Sequence, residues 1–228
     1  MLDSLFAQFD SLVVLDTETT GFSPRREEII ELAMLRVSAR GVEEEYDEFI
    51  RLSPGRSVPP RITELTGITD AMLLDGVGKD QAARALKDML GHGKTLVCAY
   101  NAQFDLVFLY YLLDAYSLAG ALRGVRVLDA LTVYKDRRPY PHRLSDAVET
   151  YALVSQNTHR AIDDTRATFE LLCAMDEEED DLDRYLNLFG YNAKYGAPKP
   201  RISSISYLPQ GFDALGKLYD ASDTEKSP

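Results

Sequence analysis

The chain has 228 residues and a formal net charge of −12, and apolar residues make up 45% of it. That is enough for one domain with a sizeable core plus extensions, and it excludes a chain disordered throughout. The longest apolar runs fall well short of the roughly 18 residues a membrane span needs. The acidic balance excludes a protein that coats nucleic acid through a broad basic face, although bound metal ions can invert charge locally.

The first ten residues carry acids and no Lys or Arg, the wrong charge for a signal peptide. Leu2, Leu5, Phe6 and Phe9 fall at helical spacing and predict a short amphipathic helix. Ser11-Leu-Val-Val-Leu15 reads as a strand ending in an acid, and residues 28–37 and 43–52 read as the next two. The apolar spacing of residues 43–52 also suits a helix. Residues 51–60, rich in Pro, Gly and Ser, form a loop. A short helix over residues 60–65 ends at Gly67, and a longer one over 79–90 stops at Gly91-His-Gly93. Thr95-Leu-Val-Cys-Ala99 is a buried strand, and residues 102–116, apolar almost all round, a core helix. A strand over 125–128 and helices near 129–134, 143–151 and 161–175 follow. Strands first, then strands alternating with helices, give an α/β fold with a mixed sheet and helices on its faces.

The two cysteines, Cys98 and Cys173, lie far apart with no C-x-x-C, so neither a disulfide framework nor a zinc site is expected and a reducing cytoplasm is the natural setting. Much of the excess acid sits in Asp176-Glu-Glu-Glu-Asp-Asp181 with Asp183, read as a solvated connector over 177–183. A basic, aromatic extension over 184–212 follows, and residues 213–228 are expected to be a disordered tail.

Three element ends carry chemistry. Asp16-Thr-Glu18 closes the first strand, where side chains two apart share a face, so both carboxylates project together and repel unless a cation lies between them. Thr19-Thr-Gly21 follows as a tight turn whose backbone can approach a ligand closely. Asp105 lies in the first turn of the helix after the strand at 95–99, and His159-Arg-Ala-Ile-Asp-Asp164 opens the last helix. Each alone reads equally well as a helix-terminus device. Together, four carboxylates and one imidazole suit two Mg²⁺ or Mn²⁺ ions, which prefer oxygen ligands. Two such ions about 4 Å apart can stabilise both the attacking and the leaving oxygen of a phosphodiester displacement. The imidazole then serves as general base near neutral pH.

Asp16-Thr-Glu-Thr-Thr-Gly21, Asn101-Ala-Gln-Phe-Asp105 and His159-Arg-Ala-Ile-Asp-Asp164 resemble, in order, the three motifs of the DEDDh exonucleases. That group includes the proofreading epsilon subunit of bacterial DNA polymerase III, ribonuclease T and oligoribonuclease. The resemblance covers roughly residues 10–175, so an exonuclease domain is placed at 1–176, with its short N-terminal helix. It implies a ribonuclease H-like mixed sheet of about five strands flanked by helices, two metal ions, and release of 5′-mononucleotides from a 3′ end. Carried over motif by motif, Asp16, Glu18, Asp105 and Asp164 match the metal-binding acids and His159 the general base, with Glu18 also placed to position the attacking water. Asp163 is the other candidate beside Asp164; the family's interval from the histidine favours Asp164. The family often has His before the Asn-Ala pair, where this chain has Tyr100, which puts in doubt any contact that histidine makes near the substrate.

On the substrate side, Thr19, Thr20 and Gly21 form the turn, and Phe22 is placed to stack on a terminal base. Asn101 and Phe104 flank Asp105, and Leu65 lies in a segment similar to the family's loop against the 3′ nucleotide. Arg137, Arg138, Tyr140 and His142 form a basic, aromatic loop that can guide a strand or stand in solvent. The extension at 184–212 either packs along its own domain or binds nucleic acid. The expected partner is a single-stranded 3′ end, DNA favoured over RNA, in proofreading or repair, with a DNA polymerase subunit as a possible companion and no membrane. The rivals are an RNA 3′ exonuclease of the same chemistry and a non-catalytic polymerase-docking module. The intact set of acids and histidine argues against the second.

Overall fold

The computed structural model describes residues 2–155, 158–212 and 216–225. Helix α1 (Asp3–Phe6) leads into β1 (Ser11–Thr19), β2 (Ile29–Ser38) and β3 (Gly41–Phe49), which pair as antiparallel neighbours. Helices α2 (Pro60–Thr66), α3 (Asp70–Leu74) and α4 (Lys79–Leu90) precede β4 (Thr95–Ala99). Helix α5 (Ala102–Ala115) connects to β5 (Arg126–Asp129), and α6 (Ala130–Arg137), α7 (Leu144–Thr150) and α8 (Ala161–Glu178) complete the body. The extension adds β6 (Leu188–Tyr191) and β7 (Ser206–Pro209), and α9 (Leu218–Glu225) follows it.

The main sheet has five strands in the order β3-β2-β1-β4-β5. Strand β1 is antiparallel to β2 on one side and parallel to β4 on the other. Being central, it is buried on both faces, which is why its start reads as a continuous apolar run. Leu12 and Val14 face the core under α8, whereas Val13 and Leu15 face the core under α4 and α5. A smaller cluster of Ile30, Val58, Ile68 and Leu73 seats the 50–75 segment. The segment at 43–52, which suits either period, is the edge strand β3. Its side chains are mostly exposed, and pairing with β2 decides its form over local spacing.

The C-terminal part departs from expectation. The acidic run is a solvated connector only in part: α8 continues to Glu178, residues 177–180 are exposed, and Asp181 is buried. Asp181 receives Arg137 at 2.5 Å, Lys217 at 3.2 Å and the Tyr219 hydroxyl at 2.8 Å. Of the tail expected to be disordered, residues 213–215 and 226–228 lie outside the described residues. Within it α9 is a helix, and its Leu218 and Tyr219 are buried in the core under α8. These two side chains supply the apolar anchor that a frayed tail lacks.

Candidate active site

Strand β1 pairs with β4 only as far as Val14 opposite Cys98, while its pairing with β2 continues through Asp16, Thr17 and Glu18. Its last residues therefore outrun β4 and leave a notch at the sheet edge, which the first turn of α5 fills. Asn101 takes a left-handed conformation (φ 67°), one that Asn tolerates better than most residues, and turns the chain from β4 into α5. Asp105 is thereby buried behind β1, where it accepts the Thr17 amide at 3.0 Å and the Thr17 hydroxyl at 2.7 Å.

The third element is the start of α8. His159 holds a left-handed backbone (φ 58°) and is exposed, and Asp164 is buried one turn inside the helix. Glu18, His159 and Asp164 each offer a ligand atom, and these lie within 4.8 Å of one another. Asp163 points elsewhere: it accepts the Thr158 hydroxyl at 2.6 Å and lies 4.0 Å from Arg166. Residues from β1, α5 and α8 thus meet at one edge, as the element-end reading expects. Asp16 and Asp105 stand outside the tightest group, although their charges act on it.

The electrostatics match a cation site. Burial first, then the charges of Asp164, Glu31 and Asp105, pushes Glu18 up to about 8. Burial pushes Asp105 up to about 7 against the hydrogen bonds from Thr17 and the backbone. Asp16 is raised well above the usual carboxylate range by burial, then by Asp105, Asp164 and Glu18. Among the described residues, no Lys or Arg forms an ion pair with Asp16, Glu18 or Asp105. A set of carboxylates whose joint ionisation is opposed by burial and mutual repulsion, with oxygen donors and one imidazole, fits a hard divalent ion.

The turn after β1 is internally bonded. The Thr19 hydroxyl donates to Gly21 O at 2.7 Å, and the Thr20 hydroxyl donates to Glu27 at 2.7 Å while accepting the Glu28 amide. Both threonines are buried and their hydroxyls are engaged within the turn, so those hydroxyls are not offered to a ligand. A Cβ on Gly21 would sit 3.1 Å from Glu27 Cγ. Phe22 beyond it is 74% exposed, with its edge toward Phe104 at 6.4 Å between centroids. The Arg61 guanidinium lies 5.9 Å from the Phe22 ring, and half-exposed Leu65 shares that face of α2, four residues on.

Residue patterns alone missed Glu31 and Arg160. Glu31 sits opposite Glu18 across β1 and β2, is 1% exposed, and accepts Arg160 at 2.6 and 2.9 Å and the Ala161 amide at 3.0 Å. It ties the start of α8 to the sheet. The signal was an acid inside the apolar run Ile29-Ile-Glu-Leu-Ala, since a buried acid requires a partner. Tyr100 packs against the core under α8, and its hydroxyl donates to His142 O at 2.9 Å, a tie between loops. Arg137 and Arg138 are engaged by Glu178 rather than standing in solvent, and Arg137 also pairs with Asp181.

A model of the RNase T family, described as an exonuclease, matches residues 13–172. The chain belongs to this exonuclease family. Its strongest sequence relatives include a PolC-type DNA polymerase III of Bacillus subtilis, 34% identical over 73% of this chain but only 11% of that protein. The DNA polymerase III epsilon subunit of Aquifex aeolicus is 29% identical over 74% of this chain and 81% of its own length. In fold, the exonuclease domain is similar to E. coli exonuclease I bound to a dA16 oligonucleotide, with a TM-score of 0.67 at 19% identity, covering 77% of this chain and 42% of that one. This likeness establishes the ribonuclease H-like mixed sheet flanked by helices. The matched region takes in all three motif segments, so the acids at the sheet edge belong to a DEDDh-type domain. No helix among the described residues is long and apolar enough to cross a membrane.

Proposed function

We propose that this chain is a divalent-metal-dependent 3′→5′ exonuclease that hydrolyses single-stranded DNA ends to 5′-mononucleotides, in proofreading or repair. The observation that carries the reading is the meeting of Glu18, Asp164 and His159 within 4.8 Å at the sheet edge of an exonuclease-family domain. Asp16, Glu18, Asp105 and Asp164 would hold two Mg²⁺ or Mn²⁺ ions. Such ions supply Lewis acidity to the attacking and leaving oxygens of the phosphodiester when bound.

The chain's own groups do the rest. His159, exposed at the rim, takes the proton of the attacking water on an imidazole nitrogen, and Glu18 beside it orients that water. Phe22, with Phe104 behind it and Leu65 across from it, holds the terminal base by stacking and apolar contact. The Thr19-Thr20-Gly21 turn and Asn101 present backbone and amide groups to the terminal nucleotide. DNA is favoured because the sequence relatives are DNA polymerase III proteins and the similar folds hold dA16 and dT13 oligonucleotides. The same relatives support a DNA polymerase subunit as partner.

The test uses matched 5′-labelled DNA and RNA oligonucleotides with Mg²⁺ or Mn²⁺, a 3′-phosphate-blocked control and the Asp105→Asn variant. A ladder that shortens from the 3′ end, faster on DNA, and disappears in the variant is the expected result. Absence of hydrolysis of either strand with either metal would overturn the reading, and faster loss of RNA would overturn the choice of sugar.

A further inference from the structure

The extension lies outside the family-matched segment, yet it is built against the site. Asn187 joins it to β5: its amide donates to Val127 O and its side chain accepts the Val127 amide, both at 2.7 Å. Between β6 and β7 the chain makes an excursion over residues 192–205, and one bond from it and one from Tyr207 of β7 hold it to the start of α5. Gln103 Nε2 donates to Pro200 O at 2.7 Å, and the Tyr207 hydroxyl donates to Gln103 Oε1 at 2.5 Å. Gln103 is two residues from both Asn101 and Asp105, so the excursion is fixed at the edge of the candidate active site.

Two cavities lie in the seam. The first, about 230 Å³, opens beside Phe22, Asn101 and Phe104 and is closed on its far side by Pro198 and Lys199. The second, about 330 Å³, continues along α5 between Tyr110 and Tyr111 on one side and Pro200, Arg201 and Ile202 on the other. They share Val107, and Lys199 of the first directly precedes Pro200 of the second, so they are neighbours along α5, with the Gln103–Pro200 bond between their linings. No Asp or Glu lines either cavity, in a chain whose net charge is −12. The excursion itself adds Lys194, Lys199 and Arg201 and no acid, with Tyr195 75% exposed.

We infer that these neighbouring cavities act as one groove that seats the nucleotides preceding the 3′-terminal one on a single strand, with Lys199 and Arg201 against their phosphates and the apolar walls against their bases. The inference rests on the exonuclease reading above. An acid-free channel with cations on one wall and aromatic rings on the other, continuous with the residues flanking Asp105, matches an extended polyanion carrying flat bases.

The experiment compares wild type with the double variant Lys199→Ala/Arg201→Ala and its charge-conserving counterpart Lys199→Arg/Arg201→Lys. Binding of 5′-fluorescein dT10 is followed by anisotropy with Ca²⁺ across a salt series, and hydrolysis of p-nitrophenyl thymidine 5′-monophosphate reports the chemistry without a strand. The alanine double variant is expected to bind dT10 about tenfold more weakly, with the slope of log K against log salt reduced by about 1.4 for two lost phosphate contacts. The charge-conserving variant should keep the wild-type slope, and all three should hydrolyse the small ester alike. Unchanged dT10 affinity and slope in the alanine variant would overturn the groove, as would an equal loss on the small ester. If wild type hydrolyses neither dT10 with Mg²⁺ nor the ester, the exonuclease reading fails while the anisotropy result still decides the groove.

Discussion

Helix α8 carries acids at both ends, and the two ends are built oppositely. At its start, Asp164 stands with Glu18 and His159, and the neighbouring carboxylates Glu18, Asp16 and Asp105 are driven up by burial and by one another. At its finish, Glu178 and Asp181 meet Arg137, Arg138 and Lys217, and Arg137 also donates to the carbonyls of Met175 and Glu179. Burial alone would raise Glu178, but bonds from Tyr151 and Arg138 outweigh it and hold its carboxyl below the usual range. A helix C-terminus disfavours negative charge, so acids there require cations. Within the acid-rich stretch Glu178, Glu179 and Asp181 are paired with cations, and the sparser acids at the sheet edge are the ones that await a positive charge. Counting acids points to the wrong end; asking which acids pair with an Arg or Lys, as Glu178 and Asp181 do and Asp16, Glu18 and Asp105 do not among the described residues, points to the right one.

Four substitutions separate the ends. The largest effect is expected for Asp16→Asn, which should lower kcat by on the order of 10³-fold, the several kcal/mol that metal coordination supplies. The same change should leave metal-free stability at pH 8 unchanged or raised, because it relieves repulsion. Chemical denaturation beside turnover measures both signs. At the other end, Arg137→Met leaves Asp181 buried with less compensation and should cost about 3–5 kcal/mol of stability, while turnover at a temperature where the protein stays folded is retained. A loss of activity without loss of stability would erase the distinction between the two ends. His159→Ala should lose on the order of 10²-fold in kcat and keep its stabilisation by added metal; full activity would remove its role as base. Smallest is Phe22→Ala, which should raise KM for an oligonucleotide about tenfold, within the 1–3 kcal/mol per base typical of stacking, with kcat kept.

Much of this was legible in the residues. Helix Lys79–Leu90 and strand Thr95–Ala99 have the bounds their apolar patterns predict, because glycines separate the two, the helix buries one face and the short apolar strand is buried throughout. The motif acids were legible as acids at element ends. What could not be read locally depends on partners distant in the chain. The Glu31–Arg160 pair joins β2 to α8, and Asp181 is neutralised by Arg137 and Lys217. The extension takes its form from Val127, Thr132 and Gln103 rather than from any period of its own. Strand β3 was ambiguous for the same reason: its exposed face has no apolar demand to fix the period, and pairing with β2 fixes it instead.

The central claim is that the sheet edge is incomplete without a cation, and the pH dependence of metal binding tests it. With Glu18 pushed up to about 8 and Asp105 to about 7, the folded state holds more protons than the unfolded chain between about pH 4 and those values. The stability these groups contribute is complete below about pH 4 and is lost as pH rises through 7 to 8. The decisive measurement is the melting temperature of metal-stripped protein with and without saturating Mn²⁺ at pH 5.5 and at pH 8. A rise of about 5 °C or more at pH 8 that shrinks at pH 5.5, and shrinks again in Asp16→Asn, is the predicted result. A melting temperature indifferent to Mn²⁺ at both pH values, or a rise undiminished in Asp16→Asn, would contradict it.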